Sequence, residues 1–131
     1  MKRATTAKRR FSGPVVSAIA KDKILGIRAG SDDHRFIGVW VVVVDGRVFI
    51  RSWGLKRRSW RQTFHEDPTG TIQVAGRELR VRAVTSVPEK TKAAVDAAYA
   101  EKYDTPGAIK YVRGFKRSKR RRDTTTELLP R

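Results

Sequence analysis

Residues 36–44 read FIGVWVVVV and run directly into Asp45-Gly46. A β-branched run that is apolar on both faces fits a strand buried on both sides, and it is far short of the roughly 20 residues a membrane helix requires. Asp-Gly readily takes the positive φ angles of a two-residue hairpin turn, so residues 47–52 are predicted to return antiparallel. A chain built around this hairpin is committed to a sheet, and residues 36–44 are expected at its buried centre.

Other segments repeat the β signal. Residues 23–29 alternate, with Leu25 and Ile27 on one face and Gly26 and Arg28 on the other. Residues 71–74 and 77–85 flank Ala75-Gly76 as a second hairpin, with Leu79, Val81 and Ala83 inward, and residues 124–129 make a last strand. Helical signals appear at four further places. Residues 14–21 follow a proline suited to the first helical position, and Trp60 and Phe64 stand four apart within 55–64. From residue 88 to 103 the stripe is Val95, Tyr99 and Tyr103, with Ser86 and Glu89 at capping-box spacing. A short helical segment then carries Ile109, Val112 and Phe115. The prediction is a mainly β, six-stranded antiparallel barrel with helices at its excursions. At 131 residues there is room for a single domain, expected over 14–131.

Charge is unevenly placed. Of thirty Lys and Arg, seventeen sit in three acid-free clusters, Met1 to Arg10, Lys56 to Arg61 and Lys110 to Arg122, and these equal the whole formal charge of +17. The rest is neutral overall, so positive charge is concentrated at chosen places, a pattern that points to phosphate in a nucleic acid or in a nucleotide-like cofactor. Residues 1–13, polar and without period, read as a basic disordered tail. There is no cysteine, and Phe11 is followed at once by Ser12, Gly13 and Pro14, which leaves no apolar core for a signal peptide. The expectation is a cytoplasmic protein with no membrane segment.

The series VWVVVVDGRVFIRSWG, Ser59-Trp60, DAAYAEKYDTPGAIKYVRGFK and RRRDTTTELLP resembles an uncharacterised bacterial family of small domains of unknown function. That family is marked by a W-x-V strand, a Y-V-R-S-x-x-G hairpin arm, a Trp, an A-A-Y-x-x-K-Y helix and a closing T-L-x-L-x-P strand. The likeness covers about residues 25–131 and falls on Trp40, Arg51, Ser52, Gly54, Trp60, Asp96, Tyr99, Lys102 and Tyr103. The chain departs from the pattern at Phe49, where Tyr is usual, and at Arg61, where a Tyr is common after the Trp. The family is similar in turn to the FMN-binding split barrels, which include pyridoxamine-phosphate oxidases and deazaflavin-dependent nitroreductases. The resemblance implies a split-barrel fold with FMN or a deazaflavin as cofactor in a redox role, and a homodimer is expected.

Arg51 is the first residue to single out. It shares a strand face with Phe49 and Trp53, and a guanidinium set among aromatics must find an anion, because a buried unpaired charge costs several kcal/mol. With the Ser52 hydroxyl and the Gly54 backbone it could cradle a phosphate; alternatively it forms a structural ion pair with Asp96 or Glu101. Trp60, Arg58 and Lys102 complete the candidate cofactor site. Tyr99 and Tyr103 read as core, as do Trp40, Trp53 and Trp60 by default, although one Trp could stack on a flat ring. The alanines at 93, 94, 97, 98 and 100 suit close packing on the barrel or at a dimer interface. His34 and His65 have no second ligand at metal spacing, and no nucleophile-base pair, G-x-S-x-G, G-x-G-x-x-G or P-loop is present. Any enzyme activity must therefore come with a cofactor. The competing readings are non-specific nucleic-acid binding through the Met1 to Arg10 and Lys110 to Arg122 clusters, and a cofactor-less interaction barrel.

Overall fold

The computed structural model of the chain describes residues 10–31, 34–54 and 59–131. Helix α1 (Gly13–Lys21) leads into β1 (Leu25–Ala29), β2 (Ile37–Val39), β3 (Val41–Val44) and β4 (Arg47–Ile50). Helix α2 (Trp60–Glu66), the hairpin β5 (Thr69–Val74) and β6 (Arg77–Val84), and helices α3 (Glu89–Lys102), α4 (Pro106–Arg117) and α5 (Lys119–Arg122) follow, before β7 (Thr126–Pro130). The strands form one sheet in the order β2-β1-β5-β6-β7-β4-β3, and every pairing is antiparallel.

The two end strands of that order, β2 and β3, are consecutive in the chain and separated by Trp40 alone. The sheet therefore curls until its ends nearly meet, giving a split barrel of seven strands where six were expected. The extra strand comes from the run 36–44. Instead of one central strand, it breaks at Trp40 into a half that pairs with β1 and a half that pairs with β4. Its apolar character on both faces has a different cause from the one expected. Val41 points into the barrel core, while its neighbour Val42 points into a second core under the helices. Ile37, on the other half, is 40% exposed.

The barrel interior is filled by Leu25, Ile27, Val41, Ile50, Ile72 and Leu128, with Ile19 of α1 and Phe64 of α2 closing it. The second core lies between the outer face of β3 and β4 and helices α3 and α4, and holds Val42, Phe49, Val95, Tyr99, Tyr103 and Phe115. The α3 stripe is as predicted, with Val95 and Tyr99 fully buried. The capping box is not: Pro88 occupies the N-cap and no side chain caps the helix. In α4, Phe115 is buried, but Ile109 is 37% exposed.

Both hairpins turn on paired positive φ angles, 52° and 74° at Asp45 and Gly46, and 51° and 75° at Ala75 and Gly76. This is the geometry whose twist matches the flanking strands. Within the segment expected as tail, Arg10 donates to the Asp45 carbonyl at 2.7 Å and Phe11 packs on the barrel core. Residues 1–9 lie outside the described residues.

Candidate functional site

The break at Trp40 is braced from α3. Tyr99 donates its hydroxyl to the Trp40 carbonyl at 2.9 Å, and the Tyr103 hydroxyl accepts from the Val41 N–H at 2.9 Å. Lys102 donates Nζ to the carbonyls of Val41 at 2.8 Å and Ile19 at 3.3 Å. The Trp40 indole lies flat on the Tyr103 ring, 4.2 Å between centroids and 6° between planes. A strand that leaves one sheet edge for the other must drop its ladder bonds at the corner, and these side chains replace them. Burial and nearby Lys23 depress the Lys102 ammonium to about 8, whereas burial pushes Tyr103 up to about 12.

A cleft of about 680 Å³ opens in front of the break. Its back wall is Ile37, Gly38, Val39 and Trp40; Arg51, Ser52, Trp53 and Gly54 leave β4 along one side, and Ser59, Trp60 and Thr63 come from the start of α2. Tyr111 and Phe115 of α4 close it. Trp53 stands edge-on to both, with centroid distances of 4.9 Å and 5.7 Å. The indole reaches that position because α4 has no side chain there: a Cβ at Gly114 would lie 2.5 Å from Trp53 Cζ3. Five aromatic rings thus line one open cleft of a size typical of small-molecule sites.

Beneath the cleft, Arg51 is fully enclosed. Nε–H donates to Thr125 Oγ1 at 2.8 Å, Nη1 to Asp96 Oδ1 at 2.7 Å and to Phe115 O at 3.2 Å, and Nη2 to Lys92 O at 3.0 Å. The other Asp96 oxygen accepts from Arg122 Nε at 2.9 Å, and Arg122 also pairs with Glu89. One guanidinium therefore ties the end of β4 to α3, α4 and the start of β7. A second ion pair, which no sequence signal marked, fixes β7 to β4: the part-exposed Arg47 grips the buried Glu127 through two bonds of 2.9 Å.

The family model for an uncharacterized protein conserved in bacteria, DUF2255, matches residues 15–128. The chain belongs to this family. No curated protein matches the chain in sequence. Among solved structures it is similar to an FAD-binding protein from Mesorhizobium loti, at 13% identity and a TM-score of 0.58 over 94% of this chain and 92% of that one. It is also similar to a conserved hypothetical protein from Mycobacterium tuberculosis, at 13% identity and a TM-score of 0.59 over 98% and 84%. At such identities the likeness is one of fold.

Placed on this DUF2255 barrel, four of the predicted site residues, Arg51, Ser52, Gly54 and Trp60, meet at the one cleft. Lys102 does not; its ammonium is spent on backbone carbonyls behind the Trp40 break. Arg58 lies outside the described residues. Of the two readings of Arg51, the ion pair with Asp96 is the one present, and its N–H groups are directed into the protein rather than the cleft. Ser52 donates its hydroxyl to the Gly54 carbonyl at 2.5 Å, and its N–H goes to Thr124 Oγ1 at 2.8 Å.

Two arginines next to cleft residues, though not themselves in its lining, went unmarked as site residues. Arg121 lies 4.0 Å over the Trp53 ring and donates Nε–H to the Trp53 carbonyl at 2.8 Å. Arg61 donates Nη2 to the Asp123 carbonyl at 2.7 Å, while its Nε–H is buried without a partner. Burial outweighs the attraction of Asp123 and lowers the Arg61 pKa. The Asp123 carboxylate is already shared by Lys119 and Lys92, whose bonds hold it down at about 2. Among the described residues, neither Arg61 nor Arg121 has a carboxylate within ion-pair distance. Tyr111, Phe115 and Gly114 were also missed; the four-residue spacing of the two rings was the available signal. No described group of three His, Cys, Asp or Glu could hold a metal, and no described helix is long and apolar enough to cross a membrane.

Proposed function

We propose that the cleft holds a planar, phosphate-bearing cofactor of the flavin or deazaflavin type, and that the protein serves in a redox role. The observation that carries this reading is the five-ring lining of one cleft, since flat heteroaromatic ligands gain most from stacking and edge contacts with Trp, Tyr and Phe. The ring system would lie among Trp40, Trp53, Trp60 and Tyr111, with Ser52, Ser59 and the Gly54 backbone as polar partners. The phosphate falls to Arg121 and Arg61, which have no carboxylate partner among the described residues, and not to Arg51, whose three nitrogens all bond within the protein. When bound, such a cofactor supplies the electron or hydride transfer for which the chain's own residues offer no substitute. A homodimer belongs to the same reading. The exposed Ala93, Ala94, Ala97 and Ala100 of α3 would form its contact face, and sedimentation would then give about twice the 14.9 kDa of one chain.

The test is titration of the purified protein with riboflavin, FMN, FAD and a deazaflavin, read by flavin fluorescence and visible absorption. FMN should bind more tightly than riboflavin, and Arg61→Gln with Arg121→Gln should erase that difference, about 10-fold or more for the charge-assisted bonds lost. Trp53→Ala should weaken both alike. Absence of binding to any of these compounds by the wild type ends the reading.

A further inference from the structure

The cofactor reading uses the inner face of α4 and leaves its outer face without a role. Ala108 and Phe115 are buried and Tyr111 and Val112 half-buried, whereas Lys110, Arg113, Lys116 and Arg117 are exposed on the opposite side. Lys110, Arg113 and Arg117 follow one line along the helix at spacings of three and four, and Lys116 lies beside it. Helix α4 contains no Asp or Glu. Exposed helix faces ordinarily gain from interleaved acids at three and four residues, yet here Arg113 has like-charged neighbours at 110, 116 and 117. Arg120 on α5 is exposed as well. Among the described residues none of these five cations forms an ion pair, while the adjacent Lys92, Lys119 and Arg122 are all neutralised by Asp123, Asp96 and Glu89. The fold thus compensates the bases that tie its parts together and leaves without counter-ions a strip on the exposed side of α4, at whose edge Lys110 Nζ lies 5.1 Å over the Tyr111 ring.

We infer that this strip is a docking face for the phosphodiester backbone of a nucleic acid. From 110 to 117 the helix rises about 10 Å, a length over which duplex DNA presents about six phosphate charges. The face offers almost no apolar surface, Ile109 being its one partly exposed aliphatic side chain, so it lacks both the hydrophobic stripe of a membrane-surface helix and the aromatic anchors of a protein interface. With no Asn, Gln or aromatic group in the strip, contact would be to backbone and largely indifferent to sequence. Because α4 separates this face from the cleft, occupancy of one leaves the other open.

Fluorescence anisotropy with labelled duplex DNA, duplex RNA and single strands, as a function of salt, tests the inference. The triple variant Arg113→Gln, Lys116→Gln, Arg117→Gln should lower the slope of log affinity against log salt by about 2.7 on duplex DNA. The single variant Arg113→Gln should lower it by about 0.9. A control that removes equal charge from the exposed β6 positions, Arg77→Gln, Arg80→Gln, Arg82→Gln, should leave the slope near that of the wild type. The bases of residues 1–10 are present in every variant and cancel. The inference is overturned if the wild type binds no nucleic acid at low salt, or if both triple variants lose affinity equally. Equal binding to polyglutamate or anionic vesicles would also overturn it, pointing to an acidic protein or a membrane instead.

Discussion

Arg51 and Arg121 are both arginines of the sequence-marked basic or motif segments, both sit beside Trp53 and α4, and they differ in what surrounds them. Arg51 is enclosed, with each guanidinium nitrogen bonded to the protein and Asp96 as counter-ion. Arg121 stands on an indole face with one bond to a backbone carbonyl and no carboxylate within reach. Burial forces a charge to be satisfied from within, whereas a partly exposed charge can wait for a ligand, because water meets its needs in the meantime. Enclosure with a counter-ion, more than position in a motif, separates the arginine that holds the barrel together from those suited to hold an anion.

The sharpest way to break that distinction is Arg51→Ala. Removing Arg51 takes one of its two cations from Asp96, empties the space of a fully buried side chain and orphans the Phe115 and Lys92 carbonyls, so unfolding in denaturant should show a loss of about 3–5 kcal/mol. An unchanged midpoint together with lost ligand binding would reverse the roles given to Arg51 and Arg121.

A smaller effect is expected at the other region. Gly114→Ala puts a methyl against the Trp53 ring, and the overpacking should cost about 1–3 kcal/mol and pull the indole from beneath Arg121. Near-UV circular dichroism of the Trp signals, with the melt, would show it. A neutral substitution would mean that this wall of the cleft yields freely.

The smallest effect lies behind the cleft and concerns pH. Lys102 releases its proton near 8 in the folded state against 10.5 ordinarily, so between these values the unfolded chain binds more protons and stability rises with pH. Tyr103 does the reverse. It keeps its proton to about 12 against an ordinary 10, so above 10 the folded chain binds more protons and stability falls. Denaturation midpoints from pH 7 to 11 should climb and then turn over, and Lys102→Met should abolish the climb while sparing the decline. A flat profile in the wild type would mean that the Val41 and Ile19 carbonyls offset the burial of Lys102 and its repulsion by Lys23.

The hairpins, the α3 stripe and the alternation of β1 and β6 were legible because each depends on residues close in sequence: turn dipeptides, helical spacing and period-two burial. The run 36–44 was legible as β but not as broken. Apolarity on both faces marks a residue as covered twice and is silent on whether the cover is neighbouring strands or a barrel interior and a helix layer, as at Val41 and Val42. The signal missed was Trp40 itself, a large aromatic amid valines whose ring found a partner in Tyr103, a residue marked in the sequence as helix core.

For the candidate site, the segment Arg51-Ser52-Trp53-Gly54 and Trp60 pointed to the right cleft, since Arg51, Ser52 and Gly54 are near neighbours that leave β4 together. The same motif logic counted Lys102 with them, although it faces the far side of the break. Local patterning was enough to indicate an antiparallel barrel with a packed helix and an excess of charge held in three acid-free clusters. Which of the described charges lack a counter-ion emerged with the packing of the elements. A side chain's ion-pair partner is chosen by elements that meet in space, such as α3 against β4 or α5 against Trp53, and nothing along the chain records those distances.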